Sequence, residues 1–249
     1  MVRISIVMAY FNRRDQLMRT LATIRHYGDP EIIVVDDAST EMIDDLNVKV
    51  IRVQDKWWVN PCIAFNIGLS KATGDVIILQ NPECLHTGDI LSFANHIQEN
   101  TVFSFGAYSL NEKLTYPYTT LPGIYRIKAL NEPQRCQIAH HGWYNHSKYR
   151  PVGYHFCNMF RREDMERIGG FDERFAGGVA RDDDEMIIRI KRAGINLQIV
   201  DDPFVIHQYH ERTDYKKFTL ARQANEILYQ KILGENFIKP PQNKIYGVL

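Results

Sequence analysis

"EIIVVDDAST", residues 31–40, places four apolar residues in a row, Ile32 to Val35, and then stops on two adjacent aspartates, Asp36 and Asp37. A continuous apolar run of this length, bounded by turn formers, reads as a strand buried on both faces, as in a parallel sheet. The aspartates have two readings. They end the strand in a turn, or they face a ligand, since open α/β sheets bind ligands beyond the carboxyl ends of their strands.

The flanking sequence repeats the pattern. Upstream, Ile4 to Met8 is a strand that leads into Tyr10, Phe11 and Asn12. A helix pattern follows, with Leu17, Met18, Leu21 and Ile24 on one face, Asn12 as N-cap, Asp15 in the first turn and Gly28 past the end. Downstream, Val48 to Val53 is a strand, and Asn60-Pro61 starts a helix that carries Ile63, Ile67 and Leu69 and ends near Gly74. Val76 to Leu79 is a fourth strand, running into Gln80-Asn81-Pro82-Glu83. A helix from Asp89 to Glu99 and a strand near Val102 to Phe105 complete the series. Alternating strands and helices give an α/β fold with a mostly parallel sheet.

The later sequence is less regular. Residues 107–160 are rich in Tyr, His, Pro and Trp, and include "HHGWYNHSKYRPVGYHF". Helix signals return at 163–168, before Gly169-Gly170, and again after Asp182, where Met186, Ile187 and Ile190 mark a buried face. Leu197 to Val200 and Phe204 to Ile206 read as two late strands. Residues 214–249 begin helical and finish Pro-rich, which predicts a main domain over 1–213 and a C-terminal extension packed on it.

Bulk composition removes several classes. The 249 residues carry 30 Lys plus Arg against 30 Asp plus Glu, so nothing in the charge balance calls for nucleic acid or an anionic membrane. A hydrophobic content of 45% argues against disorder. Cys62, Cys84, Cys136 and Cys157 fit no zinc or CxxC spacing, which predicts free thiols in a reducing compartment. The first apolar run is too short for a membrane span, so a soluble, cytoplasmic protein is expected.

Chemistry-bearing residues fall at element ends. Asp36 and Asp37 follow one strand, and Asn81 and Glu83 another; Asn81-Pro82-Glu83 is also a good turn. Asp182, Asp183 and Asp184 open a helix, where one aspartate would suffice as a cap. His207 and His210 follow the last strand. Carboxylates and a histidine on converging loops are the ingredients of a divalent cation site. Trp143 and Tyr144 either stack on a ligand or pack as a lid, and the pair Trp57-Trp58 is equally open.

Taken in order, these stretches resemble the family 2 glycosyltransferases, which are inverting enzymes of the GT-A fold, with a Rossmann-like, mostly parallel central sheet flanked by helices. "ISIVMAYFNRRDQLMRTLATI" resembles the family's first strand and helix, "EIIVVDDAST" its nucleotide-binding strand, and "AFNIGLSKATGDVIILQNPE" its next helix and strand. "IGGFDERFAGGVARDDDEMIIRIKRAG" resembles the acceptor-site segment also found in β-1,4-galactosyltransferases, and "DPFVIHQYH" the histidine strand of the metal site.

The resemblance implies a donor nucleotide, with a UDP-sugar favoured, lined by Ala9, Tyr10, Asp36, Asp37 and Asn81. It implies Mn²⁺ or Mg²⁺ held by Glu83 and His207, and Asp183 as general base. A saccharide or glycoconjugate acceptor would be bound by Asp182, Asp184, Trp143 and Gly178, in a role such as polysaccharide biosynthesis. The sequence departs from the family where Asn81-Pro82-Glu83 stands for Asp-x-Asp, and where Phe65 replaces an arginine often seen before Asn-x-Gly. Two alternatives remain at this stage: a nucleotide- or carbohydrate-binding module without catalysis, and a nucleotidyltransferase. The latter would want a Gly-rich loop that residues 9–16 lack.

Overall fold

Ile32 to Val35 form the middle of strand β2 (Glu31–Asp37), which runs parallel to β1 (Ile4–Tyr10) on one side and β3 (Lys49–Val53) on the other. This is a computed structural model, and it describes residues 2–113, 115, 142–211 and 218–246. Both faces of β2 are covered. Ile33 and Val35 join Val7 in one apolar cluster with Ile63, Phe65 and Leu69, whereas Ile32 and Val34 join Ile6, Met8, Leu17, Leu21 and Ile24 in another. Strand residues alternate faces, so a sheet with helices on both sides requires every position to be apolar.

The sheet continues through β4 (Val76–Gln80), parallel to β1, and then becomes mixed. Its order is β3-β2-β1-β4-β8-β6-β9-β5, with β7 (Gly142–Asn145) paired to β6. Here β5 is Cys84–His86, β6 Thr101–Ser109, β8 Cys157–Arg161 and β9 Asn196–His207. Strand β8 is antiparallel to both β4 and β6, while β6 and β9 are parallel. The α/β class with a mostly parallel sheet is thus as the sequence predicts.

Several local expectations are corrected. Helix α1 spans Arg14–Tyr27, and Asn12 does not cap it. Asn12 adopts φ 47°, and its side-chain oxygen accepts from the backbone N–H of Thr40 and of Glu41, which ties the β1–α1 turn to the loop after β2. Helix α2 spans Cys62–Lys71 and is capped by Asn60, whose side-chain oxygen accepts from the Cys62 N–H at 3.0 Å. The helix expected over 89–99 is only a 3-10 turn, Leu91–Asn95. Residues 95, 96 and 98–100 are exposed, so no second turn has an apolar face to bury. The two late strands are one, β9, with a register shift against β6 between Phe105 and Ala107.

Helix α3 (Arg162–Ile168) ends on Gly169 in the left-handed region, and α4 (Asp182–Arg192) starts at the first of the three aspartates. Helix α5 (Thr219–Leu233) and the tail after it pack on the main body. Asn225 donates to the carbonyls of Phe175 and Ala180, and Asn243 donates to those of Gly169 and Phe171. The expected boundary at 213/214, and Cys136, lie outside the described residues. Cys62, Cys84 and Cys157 are free and buried. No helix among the described residues is long and apolar enough to cross a membrane.

Candidate active site

The ends of β1, β2 and β4 open on one edge of the sheet, as the topology requires for parallel strands. At the end of β2 both aspartates are buried and engaged. Asp36 accepts from Arg52 at 2.7 Å and from the Ser39 N–H at 2.9 Å, so it builds the turn after the strand. Asp37 accepts from Lys56 at 2.5 Å and from the Trp58 indole N–H at 2.8 Å. Ala9 and Tyr10 close β1 beside them; the Tyr10 ring is buried, which pushes its hydroxyl pKa up to about 12.

Beyond β4, Glu83 meets the end of β9. Its Oε1 lies 3.3 Å from His207 Nε2, 3.5 Å from His210 Nε2 and 2.8 Å from Arg13. Its other oxygen, Oε2, is buried with no hydrogen-bond partner among the described residues. Burial opposes ionisation of Glu83, but the Arg13 guanidinium and the two imidazoles outweigh it and hold the carboxyl well below the usual range. Ligand atoms of Glu83, His207 and His210 lie within 4.8 Å of one another. A buried carboxylate oxygen without a partner, beside two imidazoles, is a donor set that fits a divalent cation.

The three aspartates sit across a cleft of about 250 Å³, whose lining includes Asn81, Tyr154, His155, Phe156, Asp182 and Asp183. Ala180 and Arg181 take φ of 65° and 72° just before α4, turning the chain so that the helix N-terminus faces this cleft. The three carboxylates have different partners. Asp182 accepts from Asn60 at 2.8 Å; burial, with Asp183 alongside, pushes its carboxyl up to about 6. Asp183 Oδ1 accepts from the His155 backbone N–H at 3.0 Å and is bonded to the His155 ring Nδ1. Asp184 is fully engaged, accepting from the Tyr154 hydroxyl at 2.8 Å and from Arg181 at 2.9 Å. Phe156, in the cleft wall, also meets the His207 ring at 5.7 Å, so the cleft and the Glu83 cluster adjoin.

Asn81, Asp182 and Asp183 are therefore brought together, with Glu83 and His207 adjacent. Two expected acceptor residues are placed differently. Trp143 is 9% exposed and its ring packs on Tyr108, His146 and Phe204, a hydrophobic setting away from the cleft lining. Gly178 packs against α5, where a Cβ would lie 2.7 Å from the Ala221 carbonyl oxygen. Sequence reasoning missed Arg13, Asn60, Tyr154 and His155. Asn60 was visible as a helix start, but its reach to Asp182 spans 122 residues and leaves no local pattern.

Comparison with known proteins places the chain in a family. The glycosyl transferase family 2 model matches residues 5–169, and the model described as the N-terminal domain of galactosyltransferase matches 138–213. No curated protein matches the chain. Among solved structures, a mannosyltransferase from Pyrobaculum calidifontis in complex with GDP-Man and Mn²⁺ is 16% identical at a TM-score of 0.54, over 91% of this chain and 64% of its own. The catalytic domain of Drosophila β1,4-galactosyltransferase 7 in complex with xylobiose is 14% identical at 0.53, over 89% and 81%. Residues 1–349 of TarS from S. aureus are 13% identical at 0.54, over 83% and 60%. The chain thus spans less than two thirds of the mannosyltransferase and of the TarS fragment. With the glycosyl transferase family 2 model covering most of the chain, and with these transferase structures sharing its fold, the protein belongs to glycosyl transferase family 2.

Proposed function

We propose that the protein is an inverting transferase that moves a sugar from a nucleotide-sugar, with UDP-sugars favoured, to a hydroxyl of a saccharide or glycoconjugate. The observation that carries this reading is Asp183: a half-buried carboxylate at the N-terminus of α4, in the cleft that also holds Asn81. Asp183 takes the proton of the acceptor hydroxyl. That oxygen bonds the anomeric carbon as the bond from this carbon to the diphosphate oxygen breaks, and the nucleoside diphosphate leaves with the electron pair from the opposite face.

Glu83 and His207, joined by His210, would hold Mn²⁺ or Mg²⁺; Glu83 Oε2 is the oxygen without another partner. Such an ion supplies charge compensation at the leaving diphosphate. The mannosyltransferase of like fold was solved with a nucleotide-sugar and Mn²⁺, and the galactosyltransferase with a disaccharide. Both support the substrate classes proposed. Ala9, Tyr10 and Asp37 would face the nucleotide, with Asp36 shaping the turn behind them. Asp182 would contact the acceptor from the cleft wall, while Asp184, already bonded twice, shapes that wall. The free Cys62, Cys84 and Cys157 suit a reducing, cytoplasmic setting.

The test is a thermal-shift and nucleotide-release screen of UDP-sugars and GDP-mannose with and without Mn²⁺. A ligand at about 100 times its dissociation constant adds about 2.7 kcal/mol of stability. Asp183→Asn should keep the donor-induced shift and lose release by roughly 10²–10⁴-fold. Donor binding with no turnover in the unaltered protein would favour a binding module instead.

A further inference from the structure

We propose that His155 is the positioning residue of Asp183: it clamps one carboxylate oxygen and leaves the other for the acceptor proton. The proposal rests on the reading of Asp183 as general base. Two groups of His155, the backbone N–H and the ring Nδ1, converge on the same oxygen, Asp183 Oδ1. A carboxylate accepts only, so the ring nitrogen facing it carries the proton, and the contact fixes both tautomer and ring orientation. The ring cannot swing away. Phe65 from α2 meets it edge-on at 5.0 Å, and Phe171, beyond α3, at 4.8 Å. Phe65 and Phe171 are themselves stacked at 5.0 Å.

The apolar Phe65 ring thus braces the imidazole from the side of α2. His155 is 8% exposed, and the charged groups that act on it are Asp183, Asp182 and Glu83. Burial disfavours the imidazolium, but these three carboxylates outweigh it, and the ring holds its proton above the ordinary histidine range. A fixed Oδ1 removes rotations that would carry Oδ2 off line.

Packing and positioning roles predict opposite rankings of two variants. His155→Phe keeps a ring between Phe65 and Phe171 but has no donor; His155→Asn loses the ring but keeps a donor near the Nδ1 position. Nucleotide release from UDP-galactose, UDP-glucose and UDP-N-acetylglucosamine with Mn²⁺, water serving as acceptor, is measured across about pH 5–9. His155→Phe should lower kcat by roughly tenfold or more with donor KM little changed, and move the acid limb to higher pH. His155→Asn should recover most of kcat. In parallel, NMR titration of the imidazoles needs no turnover: the His155 pKa should fall in Asp183→Asn, because the carboxylate that favours the imidazolium is gone.

An active His155→Phe with an impaired His155→Asn overturns the proposal, as does a His155 titration unmoved by Asp183→Asn. If Asp183→Asn abolishes release while His155→Phe keeps the original rate and pH profile, the proposal alone has failed. If Asp183→Asn itself releases nucleotide at the original rate, the base assignment has failed and His155 has no base to position.

Discussion

Asn60 donates a 2.8 Å hydrogen bond to Asp182 and so joins the start of α2 to the first residue of α4, 122 positions away in the chain. The same residue caps α2 through its side-chain oxygen and takes a backbone bond from its own N–H to the Ala176 carbonyl. Three bonds from one asparagine set the spacing between the two helices that flank the cleft. They also separate the tasks of neighbouring carboxylates: Asp182 is buried on an amide, and Asp183 faces a histidine.

The raised carboxyl of Asp182 has a consequence for stability. Its pKa moves from the ordinary 3.8 up to about 6 because burial, then Asp183, penalises its charge. Between about pH 4 and 6 the folded state therefore binds more protons than the unfolded chain. The stabilising contribution is fully present below the lower value and is lost as pH rises through the upper one. Asp182→Asn keeps an acceptor for Asn60 and carries no charge. Its melting temperature relative to the parent should rise from pH 4 to pH 7, and a pH-independent difference would remove this account.

Glu83 supports a sharper test of the cation site. Mn²⁺ should raise the melting temperature of the parent protein, and chelation should reverse the rise. Glu83→Gln and His207→Ala should each abolish it. Arg13 pairs with the other Glu83 oxygen, Oε1, and its positive charge opposes a cation beside that carboxylate, so Arg13→Gln should lower the metal-free melting temperature and enlarge the Mn²⁺-induced rise. Calorimetry with Mn²⁺ and UDP checks both, and an undiminished response in Glu83→Gln would place the ion elsewhere.

Much of the fold is legible because parallel strands are written as unbroken apolar runs. Ile4 to Met8, Ile32 to Val35 and Val76 to Leu79 all form the strands expected of them. The antiparallel strand β8 was missed because its sequence, CNMFR, mixes an asparagine into a short segment after an irregular stretch. That asparagine, Asn158, is buried and donates to the Gly153 carbonyl, a bond no periodicity reveals. The candidate site follows the same rule. Glu83, His207 and Asp183 stand at the ends of readable elements, whereas Arg13, Asn60 and His155 reach the site through contacts distant in sequence.

At the proposed nucleotide end, Asp37 is already paired with Lys56 and with the Trp58 indole. Asp37→Ala should weaken UDP binding by about 1–3 kcal/mol, the range for a lost charge-assisted hydrogen bond. Trp58→Phe removes one of the bonds that orient Asp37 and should weaken UDP by less. Titration calorimetry separates the cases, and equal UDP affinity in Asp37→Ala and the parent would take Asp37 out of the nucleotide site.

Gly178 and Asn225 test whether α5 supports the cleft. Asn225 is buried, and its amide bridges the carbonyls of Phe175 and Ala180 at 3.2 and 2.8 Å, holding the loop that leads into α4. A Cβ on Gly178 would lie inside van der Waals contact of the Asn225 amide and 2.7 Å from the Ala221 carbonyl, which belongs to backbone and cannot rotate away. Asn225→Ala should cost about 1–3 kcal/mol, since two carbonyls lose their donor. Gly178→Ala should cost about 1–3 kcal/mol by overpacking. The two sites touch, so their effects should not add. In Gly178→Ala/Asn225→Ala the amide clash is gone and only the Ala221 contact remains, so the double variant should be more stable than the sum of the single losses predicts. Urea unfolding of the four proteins measures the difference, and strictly additive losses would show that Gly178 yields its space to something other than Asn225.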